Sequence, residues 1–343
     1  MERNLIVGPD FCAITEDGIL TEFLKRDPDQ QYGDILIGTV ERMMPGIGSA
    51  FVDIGRKTNG FLPIHENSRS FEGEKLKSGS RIAVQIRKEE NGSKGAFLTR
   101  DLTLAGKNVL LMPMNRYIGI SSRITEEKER ERLRRIGQEI AQNQTGLILR
   151  TAAQNAEPGE IEADVRQLTE AWAEIRTKTE AGLPNGTVLY HQDPITQMIR
   201  DYESMGTDRR TEADALNPEL QRQLQASLER TVRTGNGGNI VIDRCEAMTV
   251  IDVNSGSANT GGNPETVYLE TNLSACKVIA AQIRLRNLSG IILIDFIDMA
   301  REDDRKLVEE TFTEMMKRDR RKTVVHGWTS LGILEMTRKR TGR

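Results

Sequence analysis

The chain has 343 residues, of which 37% are hydrophobic and 29% charged, and its formal net charge is −3. This length exceeds that of one compact domain, so two or three domains are expected. The composition is typical of a soluble globular protein, no apolar run approaches the roughly 20 residues of a membrane helix, and three cysteines without a CxxC pair indicate a reducing cytoplasm.

Charge is distributed unevenly along the sequence. The mild overall acidity argues against a generally cationic nucleic-acid binder. Residues 317–343, however, carry nine Lys or Arg against only two acids, Asp319 and Glu335. A local basic surface can steer a polyanion even when the whole chain is acidic. We therefore expect this segment to help hold such a ligand.

The first hundred residues read mainly as short strands. Residues 1–31 hold two strand patterns, NLIV and GILTEFL, which are expected to pair with a later segment. Five further strand patterns with glycine-containing turns follow by Arg100, and they predict a small closed barrel of the OB type. Phe51 and Phe61 fall on neighbouring strands of it. Facing outward, their rings would form a stacking platform for bases; facing inward, they would fill the core. Cations that could contact a phosphate backbone nearby are Lys57, Arg87, Lys88 and Lys94.

Mixed strands and helices follow Thr103. A charged helix is predicted from Thr125, a buried strand at GLILR, and an amphipathic helix at EIEADVRQLTEAWAEIRTKTE. Arg150 and Thr151 close that strand, where a guanidinium beside a hydroxyl can bind an anion. An arginine at a strand end more often forms a surface ion pair, so both readings stay open. A further helix is predicted to begin at Asp193, with proline in its first turn.

The last third predicts an α/β domain. Residues 203–217 are polar, a helix is predicted at PELQRQLQASLERTV, and RTGNGGN predicts a tight hairpin because it lacks the GK[ST] of a nucleotide-binding P-loop. Strands and helices then alternate to the end of the sequence. Ligands of such sheets gather beyond the carboxyl ends of the strands. A site is therefore expected at that edge.

Two apolar runs of this domain each end in a carboxylate, Asp252 and Asp295. We read both runs as buried strands, where an acid is costly unless it is paired or binds a metal. Asn254 lies two residues after Asp252 and projects to the same face. These hard oxygen ligands suit Mg²⁺ or Mn²⁺, and such an ion can activate water and polarise a phosphoryl oxygen. The alternative is that both acids cap strand ends or form salt bridges.

Three long stretches make the sequence similar to the catalytic region of the ribonuclease E/G family: GGNIVIDRCEAMTVIDVNSG, ETNLSACKVIAAQIRLRNLSGIILIDFIDM and GILEMTRKR. The resemblance covers about residues 35–340. It implies a Mg²⁺-dependent endoribonuclease that cleaves single-stranded RNA to 5′-monophosphate and 3′-hydroxyl ends in rRNA maturation and mRNA turnover. By resemblance, the catalytic residues are Asp252, Asp295 and Asn254. The two aspartates are the metal ligands, and Asp295 is preferred to Asp298.

The resemblance also assigns RNA-contacting residues. AFVDIG and GFLPIHE match the family's S1 domain, which favours RNA contact by Phe51 and Phe61, with Lys94 beside them. GLILRTA matches the family's pocket for a 5′-monophosphate, so its implied ligands are Arg150 and Thr151. A further basic position of that pocket is matched by Arg123. The implied partner is single-stranded RNA, preferably 5′-monophosphorylated.

The family's architecture implies a multidomain α/β (α+β) fold. An RNase H-like part at residues 1–32 and 185–230 is interrupted by an OB-fold S1 domain at 33–104 and a 5′-sensor module at 105–184. A DNase I-like α/β catalytic domain at 231–343 follows. The stretch between Asp201 and Asn236, which belongs mostly to the RNase H-like part, is shorter than the family's pattern.

The family pattern normally continues with a CPxC zinc link and a small dimerisation domain, and neither occurs in residues 1–343. We therefore expect no zinc site and no zinc-linked tetramer here, which leaves a homodimer open. Two rival functions also stay open. One is a non-catalytic S1 RNA-binding protein on a degenerate nuclease scaffold, and the other is a DNA nuclease with the same metal chemistry.

Overall fold

The computed structural model describes residues 2–64, 75–90, 92–142, 144–257 and 263–339. These residues form two compact units. Unit 1 is discontinuous and consists of the described residues within Met1–Arg26 and Gly206–Arg340, whereas unit 2 lies within Asp27–Met205. The four-part division by the family architecture, with its RNase H-like and DNase I-like components, stays a prediction.

Strands dominate the described part of the chain. In order they are β1 (Arg3–Val7), β2 (Phe11–Glu16), β3 (Ile19–Lys25), β4 (Ile35–Met44), β5 (Ser49–Asp53), β6 (Gly60–Pro63), β7 (Arg81–Lys88), β8 (Phe97–Thr99), β9 (Leu104–Ala105), β10 (Val109–Met112), β11 (Ile118–Ile120), β12 (Gly146–Leu149), β13 (Val188–Tyr190), β14 (Arg209–Glu212), β15 (Thr231–Arg233), β16 (Asn239–Arg244), β17 (Met248–Asn254), β18 (Gly290–Asp295), β19 (Thr323–Trp328) and β20 (Leu334–Arg338).

The α-helices are α1 (Glu127–Ala141), α2 (Pro158–Glu180), α3 (Pro194–Ser204), α4 (Pro218–Ala226), α5 (Pro264–Leu285) and α6 (Glu302–Met316). Short 3-10 turns lie at Pro45–Ile47 and Thr151–Ala153. Within the described ranges, none of these helices combines the length and apolarity that crossing a bilayer requires.

The barrel of unit 2 contains the five predicted strands. Its sheet has the order β13-β4-β5-β6-β8-β7, and β4 also pairs with β7, which closes the sheet on itself. Alternate side chains fill the interior, among them Val52, Leu62 and Leu98, each 0% exposed. The prediction of a small S1-type barrel is confirmed.

A second sheet of unit 2 has the order β11-β12-β10-β9. Helices α1 and α2 pack on it through apolar residues such as Leu133, Ile161 and Leu168. Helix α3 begins at the predicted position, where the Asp193 side chain accepts a hydrogen bond from the Ile195 N–H and Pro194 occupies the first turn. Helix α3 contacts the 3-10 turn that follows β12. The strand-and-helix pattern predicted for this region is thus present.

The small sheet of unit 1 contains two strands, β2 and β14, that the sequence did not predict. Its order is β14-β1-β2-β3. The sequence analysis missed β2 and placed no strand in residues 203–217, where β14 pairs in parallel with β1. The expectation that the N-terminal strands pair with a later segment is nevertheless confirmed. The helix predicted from Pro218 ends at Ala226, before β15 begins.

The main sheet of unit 1 has the order β15-β16-β17-β18-β20-β19. Strands β17 and β18 are parallel and joined through α5, and the predicted hairpin joins β15 to β16. Helices α5 and α6 share a core with inward-facing residues such as Ile251, Val253 and Ile294. Alternate residues of β17 and β18 are exposed or half-buried, so the prediction of continuously buried strands is wrong. The helices cover one face, and the other carries the polar residues together with apolar ones such as Val250 and Leu293.

Candidate active site and RNA-contacting surfaces

The carboxylates of Asp252 and Asp295 are neighbours on the main sheet of unit 1. The two residues are register partners on the parallel strands β17 and β18. Side chains of register partners project from the same face, and both of these are exposed. Asn254 lies on that face too, and its Nδ2–H donates a hydrogen bond to Asp252 Oδ2 at 2.8 Å. The structure therefore brings the three predicted catalytic residues together.

Electrostatic repulsion is built into this acid pair. Partial burial raises the pKa of the Asp295 carboxyl, and the negative charges of Asp252 and Asp298 raise that pKa further. A bound cation would remove the repulsion. Its ligands here are hard oxygens without imidazole or thiolate, which fits Mg²⁺ or Mn²⁺ rather than zinc.

The number of protein ligands agrees with this choice of ion. Within the described ranges, no three His, Cys, Asp or Glu side chains converge as a ready-made metal cage. Mg²⁺ typically takes only one or two carboxylates and keeps several waters, whereas structural zinc requires four protein ligands. Two aspartates with a supporting amide are a donor set of the kind that Mg²⁺ takes.

Asn272 fixes the segment that follows Asp295, and the sequence analysis did not single it out. This side chain is 0% exposed on α5. Its Nδ2–H donates to the Ile297 carbonyl at 2.9 Å, and its Oδ1 accepts from the Ile297 N–H at 3.0 Å. A buried amide that satisfies both backbone groups of one residue holds that residue in register. The only signal in the sequence is an asparagine within a largely apolar helix.

Close backbone packing fixes the strand end beside Asn254. A Cβ on Gly238 would lie 2.8 Å from the Asn254 carbonyl oxygen and 2.8 Å from Thr234 Oγ1, so a larger side chain does not fit without movement. The Asn236 amide donates to Thr271 Oγ1 at 3.1 Å and ties this turn to α5. The loop predicted after Asn254 lies partly outside the described residues, at 258–262.

Phe51 and Phe61 lie on the outer surface of the S1-type barrel. Both rings are partly exposed, while the adjacent Val52 and Leu62 point into the core. The two phenylalanines are register partners of β5 and β6, with ring centroids 6.1 Å apart. Their placement agrees with the outward reading of the pattern. Lys94 is exposed on the connection between β7 and β8.

Arg150 is held inside unit 2 by its own chain. Its guanidinium donates hydrogen bonds to the Gly106 carbonyl and to Asp201 Oδ1, and the Arg150 and Asp201 side chains are only 16% and 19% exposed. Burial lowers the pKa of Arg150, and the Asp201 charge opposes that shift. Gln197 Nε2 also donates to Asp201 Oδ1, at 2.6 Å. Arg150 therefore forms an ion pair, as one of the two interpretations of the sequence expects, and its partner Asp201 lies on α3.

A cavity of about 330 Å³ is lined by Thr151 and Arg200, which follow Arg150 and precede Asp201 in the sequence. Thr151 is the one predicted phosphate ligand among its lining residues, which include neither Arg150 nor Arg123. This volume is at the lower end of the range for small-ligand pockets. Lys107 and Arg200, which the sequence analysis did not single out, supply positive charge to its wall. The lining residues are Lys107, Thr151, Ala152, Gln154, Asn155, Arg200, Glu203 and Ser204.

The other two predicted phosphate ligands are linked through one serine. Thr151 Oγ1 lies 3.1 Å from Ser121 Oγ, and this Oγ accepts a hydrogen bond from the Arg123 N–H at 3.3 Å. The Arg123 side chain is exposed. Ser121 thus joins the strand end that carries Thr151 to the turn that carries Arg123. The sequence analysis had not identified this connection.

The basic segment at the end of the chain is less available than its composition indicates. Arg338 is 2% exposed, and its guanidinium lies 2.5 Å from Asp319. Arg320 pairs with Glu22 at 2.7 Å, and burial lowers the pKa of Arg321 to about 10. Residues 340–343 lie outside the described part. Several arginines of the segment therefore stabilise unit 1, and the expectation that the segment helps to hold a polyanion stays a prediction.

A barrel with outward aromatic rings is typical of proteins that bind single-stranded nucleic acid, and an acid pair on an α/β sheet is typical of metal-assisted phosphodiester chemistry. Comparison with known proteins gives the same class. The model of the ribonuclease E/G family matches residues 103–217 and 215–341, and the model of the S1 RNA binding domain matches residues 29–101. The chain belongs to the ribonuclease E/G family and is an endoribonuclease.

Individual relatives agree with this assignment. Ribonuclease G of Escherichia coli (strain K12) is 34% identical, over 98% of this chain and 79% of that protein. Ribonuclease G of Haemophilus influenzae is also 34% identical over the same shares. Ribonuclease E of Nostoc sp. is 30% identical, over 100% of this chain and 56% of its own length. These relatives support a role in RNA processing.

Proposed function

We propose that this endoribonuclease is Mg²⁺-dependent and cuts single-stranded RNA to leave 5′-monophosphate and 3′-hydroxyl ends, in rRNA maturation and mRNA turnover. The observation that carries the proposal is the register pairing of Asp252 with Asp295 on parallel strands, with Asn254 bonded to the first acid. In this proposal the main sheet belongs to a DNase I-like domain, and the S1 and sensor parts interrupt an RNase H-like part.

Each residue of the acid site has a separate task. Asp252 and Asp295 would hold the ion, and the hydrogen bond from the Asn254 amide would restrain the Asp252 carboxylate. Bound Mg²⁺ lowers the pKa of a coordinated water and stabilises negative charge on a phosphoryl oxygen. Asn272 holds the backbone that follows Asp295 and so limits the movement of this carboxylate. A rigid pair of this kind positions its substrate without reorganisation.

The S1-type barrel would hold the single strand by stacking. The partly exposed rings of Phe51 and Phe61 offer flat apolar surfaces to bases, and stacking contributes about 1–3 kcal/mol per base. Lys94 is exposed and can approach a phosphate. Every base has an aromatic face, so this contact does not distinguish one sequence from another. It requires bases that are free to stack on the rings, as in a single strand.

The cavity of unit 2 would take the 5′-monophosphate. Thr151 supplies a hydroxyl, Lys107 and Arg200 supply charge, and Arg123 is connected to Thr151 through a serine. Arg150 would engage the phosphate by exchanging or sharing its bond with Asp201. A guanidinium recognises phosphate with two parallel hydrogen bonds, and Arg200 in the cavity wall offers the same group. We therefore expect faster cleavage of 5′-monophosphorylated RNA than of 5′-hydroxyl RNA.

A cytoplasmic location is part of the proposal. Cys276 is a buried thiol in the core of unit 1, and burial raises its pKa to about 12. A buried thiol of this kind is unreactive in any compartment. Cys245, however, is a free and exposed thiol, and such a thiol persists without oxidation in a reducing compartment. Assembly as a homodimer is also proposed, with sedimentation at micromolar concentration as its test.

The metal assignment is tested by cleavage of end-labelled single-stranded RNA and DNA, with Mg²⁺ or with a chelator. The parent protein should cut RNA only with Mg²⁺, and Asp252→Asn should abolish cleavage while RNA binding in chelator is unchanged. Glu335→Gln is the matched control, because Glu335 is exposed on the same sheet but is no proposed ligand. Asp298→Asn should retain most activity. Equal cleavage by Asp252→Asn and the parent would refute the assignment.

The product ends and the rival functions are decided in the same assay. Ligation of the downstream product without prior phosphorylation identifies its 5′-monophosphate, and polyadenylation of the upstream product identifies its 3′-hydroxyl. RNA binding without cleavage would support a non-catalytic S1 protein. Cleavage of DNA alone would support a DNA nuclease.

A further inference from the structure

One register row of the S1-type barrel carries only aromatic and cationic side chains. Arg42 on β4 is the partner of Phe51 on β5, which is the partner of Phe61 on β6. Phe61 is in turn the partner of Phe97 on β8, and Phe97 is the partner of Lys88 on β7. Because register partners project from the same face, these five side chains form a line across five adjacent strands. We call it the aromatic row.

The aromatic row faces outward along its whole length. Phe97 is 36% exposed, Phe51 and Phe61 are partly exposed, and both terminal cations are exposed. The residues next to the three rings in sequence, Val52, Leu62 and Leu98, are each 0% exposed and fill the barrel. Two bulges, between Val40 and Arg42 and between Ile86 and Lys88, set the strands so that both cations join the row.

We propose that Phe97 is a third base-stacking residue, and that the aromatic row binds three successive nucleobases of a single strand, with Arg42 and Lys88 neutralising the flanking phosphates. The proposal rests on RNA contact by Phe51 and Phe61 and extends it to a defined length. The bound class is unstructured RNA of any sequence, because stacking does not read base edges.

The spacing of the rings favours an unstacked strand. Ring centroids lie 6.1 Å apart between Phe51 and Phe61 and 5.8 Å apart between Phe61 and Phe97. In a stacked duplex, successive bases of one strand are only about 3.4 Å apart. A base on each ring must therefore separate from its neighbour. Double-stranded RNA cannot meet this requirement, so the row selects single strands through geometry.

The cation at one end also stiffens the third ring. Lys88 Nζ lies 5.8 Å from the centroid of the Phe97 ring, within the range of a cation–π contact. An isolated exposed phenylalanine needs no functional explanation. Phe97 differs because it continues a line of two rings at the same spacing and is bordered by a cation. The same contacts pack the rings across the strands, so the experiments must separate base stacking from packing.

The test is equilibrium binding of a short fluorescent oligouridine in chelator, which prevents cleavage. Phe97→Ala and Phe97→Leu should both weaken binding by about tenfold, since removal of one stacked base corresponds to roughly 5- to 150-fold. Leucine keeps apolar bulk on the strand but removes the flat face. Ile47→Ala is the matched control, because Ile47 is 64% exposed in the same barrel and lies outside the row. It should bind like the parent.

Photocrosslinking gives a second readout that packing defects would not imitate. Oligouridines with one 5-iodouridine at successive positions should form adducts with Phe51, Phe61 and Phe97, in an order that follows the strand. Adducts at the first two rings without any at Phe97, together with parent-like binding by both Phe97 variants, would overturn the third stacking position and leave the proposed RNA contact intact. Parent-like affinity in both Phe51→Ala and Phe61→Ala would instead reject that underlying contact.

The terminal cations are tested through salt dependence. Removal of one phosphate-neutralising cation should reduce the slope of log affinity against log salt concentration by about 0.7 for a single strand. Arg42→Gln and Lys88→Gln should each show this reduction. An unchanged slope in both variants would remove the cations from the proposal.

Discussion

The acid pair of unit 1 and the Arg150 network of unit 2 handle charge in opposite ways. At the acid pair, like charges face each other, and the pKa of Asp295 is raised in consequence. In the Arg150 network, the guanidinium already has a carboxylate partner from Asp201 and a carbonyl partner from Gly106. Within the described ranges, the charges that shift Asp295 are like charges, whereas Arg150 has a counter-ion in Asp201.

This difference determines how each site gains its ligand. A cation binding to the acid pair relieves repulsion, so the folded chain is preorganised for it. A phosphate binding near Arg150 must compete with Asp201, and its affinity is reduced by the strength of that internal bond. The first site should therefore bind its ion tightly, and the second should respond in a graded way to the 5′ end of the RNA.

The largest effect is expected from Asp295→Asn. Removal of one ion ligand should lower cleavage by about 10³-fold or more, because several kcal/mol of charge stabilisation disappear. A raised carboxyl pKa means that the ionised form, which predominates at pH 7, is less favourable in the folded than in the unfolded chain. Neutral asparagine removes this penalty, so the melting temperature without Mg²⁺ at pH 7 should stay equal or rise. Calorimetry and single-turnover kinetics measure the two quantities, and a clear fall in melting temperature would contradict the repulsion.

Asn272→Ala should have the next largest effect. The substitution removes both side-chain hydrogen bonds to Ile297 and frees the segment behind Asp295. Groups that orient metal ligands typically contribute 10- to 100-fold to activity. We expect kcat to fall by that factor while KM stays near the parent value. Partial unfolding would also lower the apparent kcat at constant KM, so the folded fraction is measured by circular dichroism. A loss of kcat that only matches the lost folded fraction would contradict a positioning role, and Glu270→Gln, at an exposed position of the same helix, serves as the control.

Arg150→Ala should abolish most of the preference for 5′-monophosphorylated RNA. One charge-assisted hydrogen-bond donor is worth roughly 1.5–3 kcal/mol, and Lys107 and Arg200 remain in the cavity wall. We therefore expect a drop of about tenfold in the cleavage ratio between monophosphorylated and 5′-hydroxyl substrates. Cleavage of the hydroxyl substrate should not change. Retention of the full ratio would show that Arg150 has only a structural function.

The smallest effect on cleavage is expected from Asp201→Asn. This variant makes the same Asp-to-Asn change in the Arg150 network that Asp295→Asn makes in the acid pair. It leaves a largely buried guanidinium without its counter-ion, so stability should fall by about 1–3 kcal/mol. The same Asp-to-Asn change thus stabilises or spares one site and weakens the other. A 5′-monophosphorylated oligonucleotide should raise the melting temperature of this variant more than that of the parent. An equal rise in melting temperature in both proteins would show that phosphate binding does not depend on the Arg150–Asp201 ion pair.

The sequence predicted the acid pair from a partly wrong premise. Two acids after two apolar runs led to the correct pairing, because parallel strands joined by a helix bring their ends together. The premise of continuous burial was wrong, since Val250 and Leu293 are apolar and yet lie on the open face. Hydrophobicity alone cannot tell a strand covered on both faces from one covered on a single face.

Other features depend on contacts that no local pattern reveals. Strand β14 has the sequence RRTE, without an apolar residue, and forms only because β1 offers it a partner. The partner of Arg150 lies 51 positions away on α3. The aromatic row depends on two bulges that shift the register by a residue. Register and long-range pairing are set by the assembled fold. The sequence therefore predicted Phe51 and Phe61 as RNA contacts but not the aromatic row to which they belong.

The discontinuity of unit 1 has a consequence for synthesis of the chain. The Arg3 N–H bonds to Asp208, 205 positions later, and α5 is anchored to the N-terminal sheet by the buried pair of Arg284 with Glu16 at 2.7 Å. At roughly 5–20 residues per second, the ribosome makes β1 about 10–40 s before its partner β14. Unit 2 is completed during that interval and can fold first. The strands that carry the acid pair, β17 and β18, are made only after unit 2 is complete.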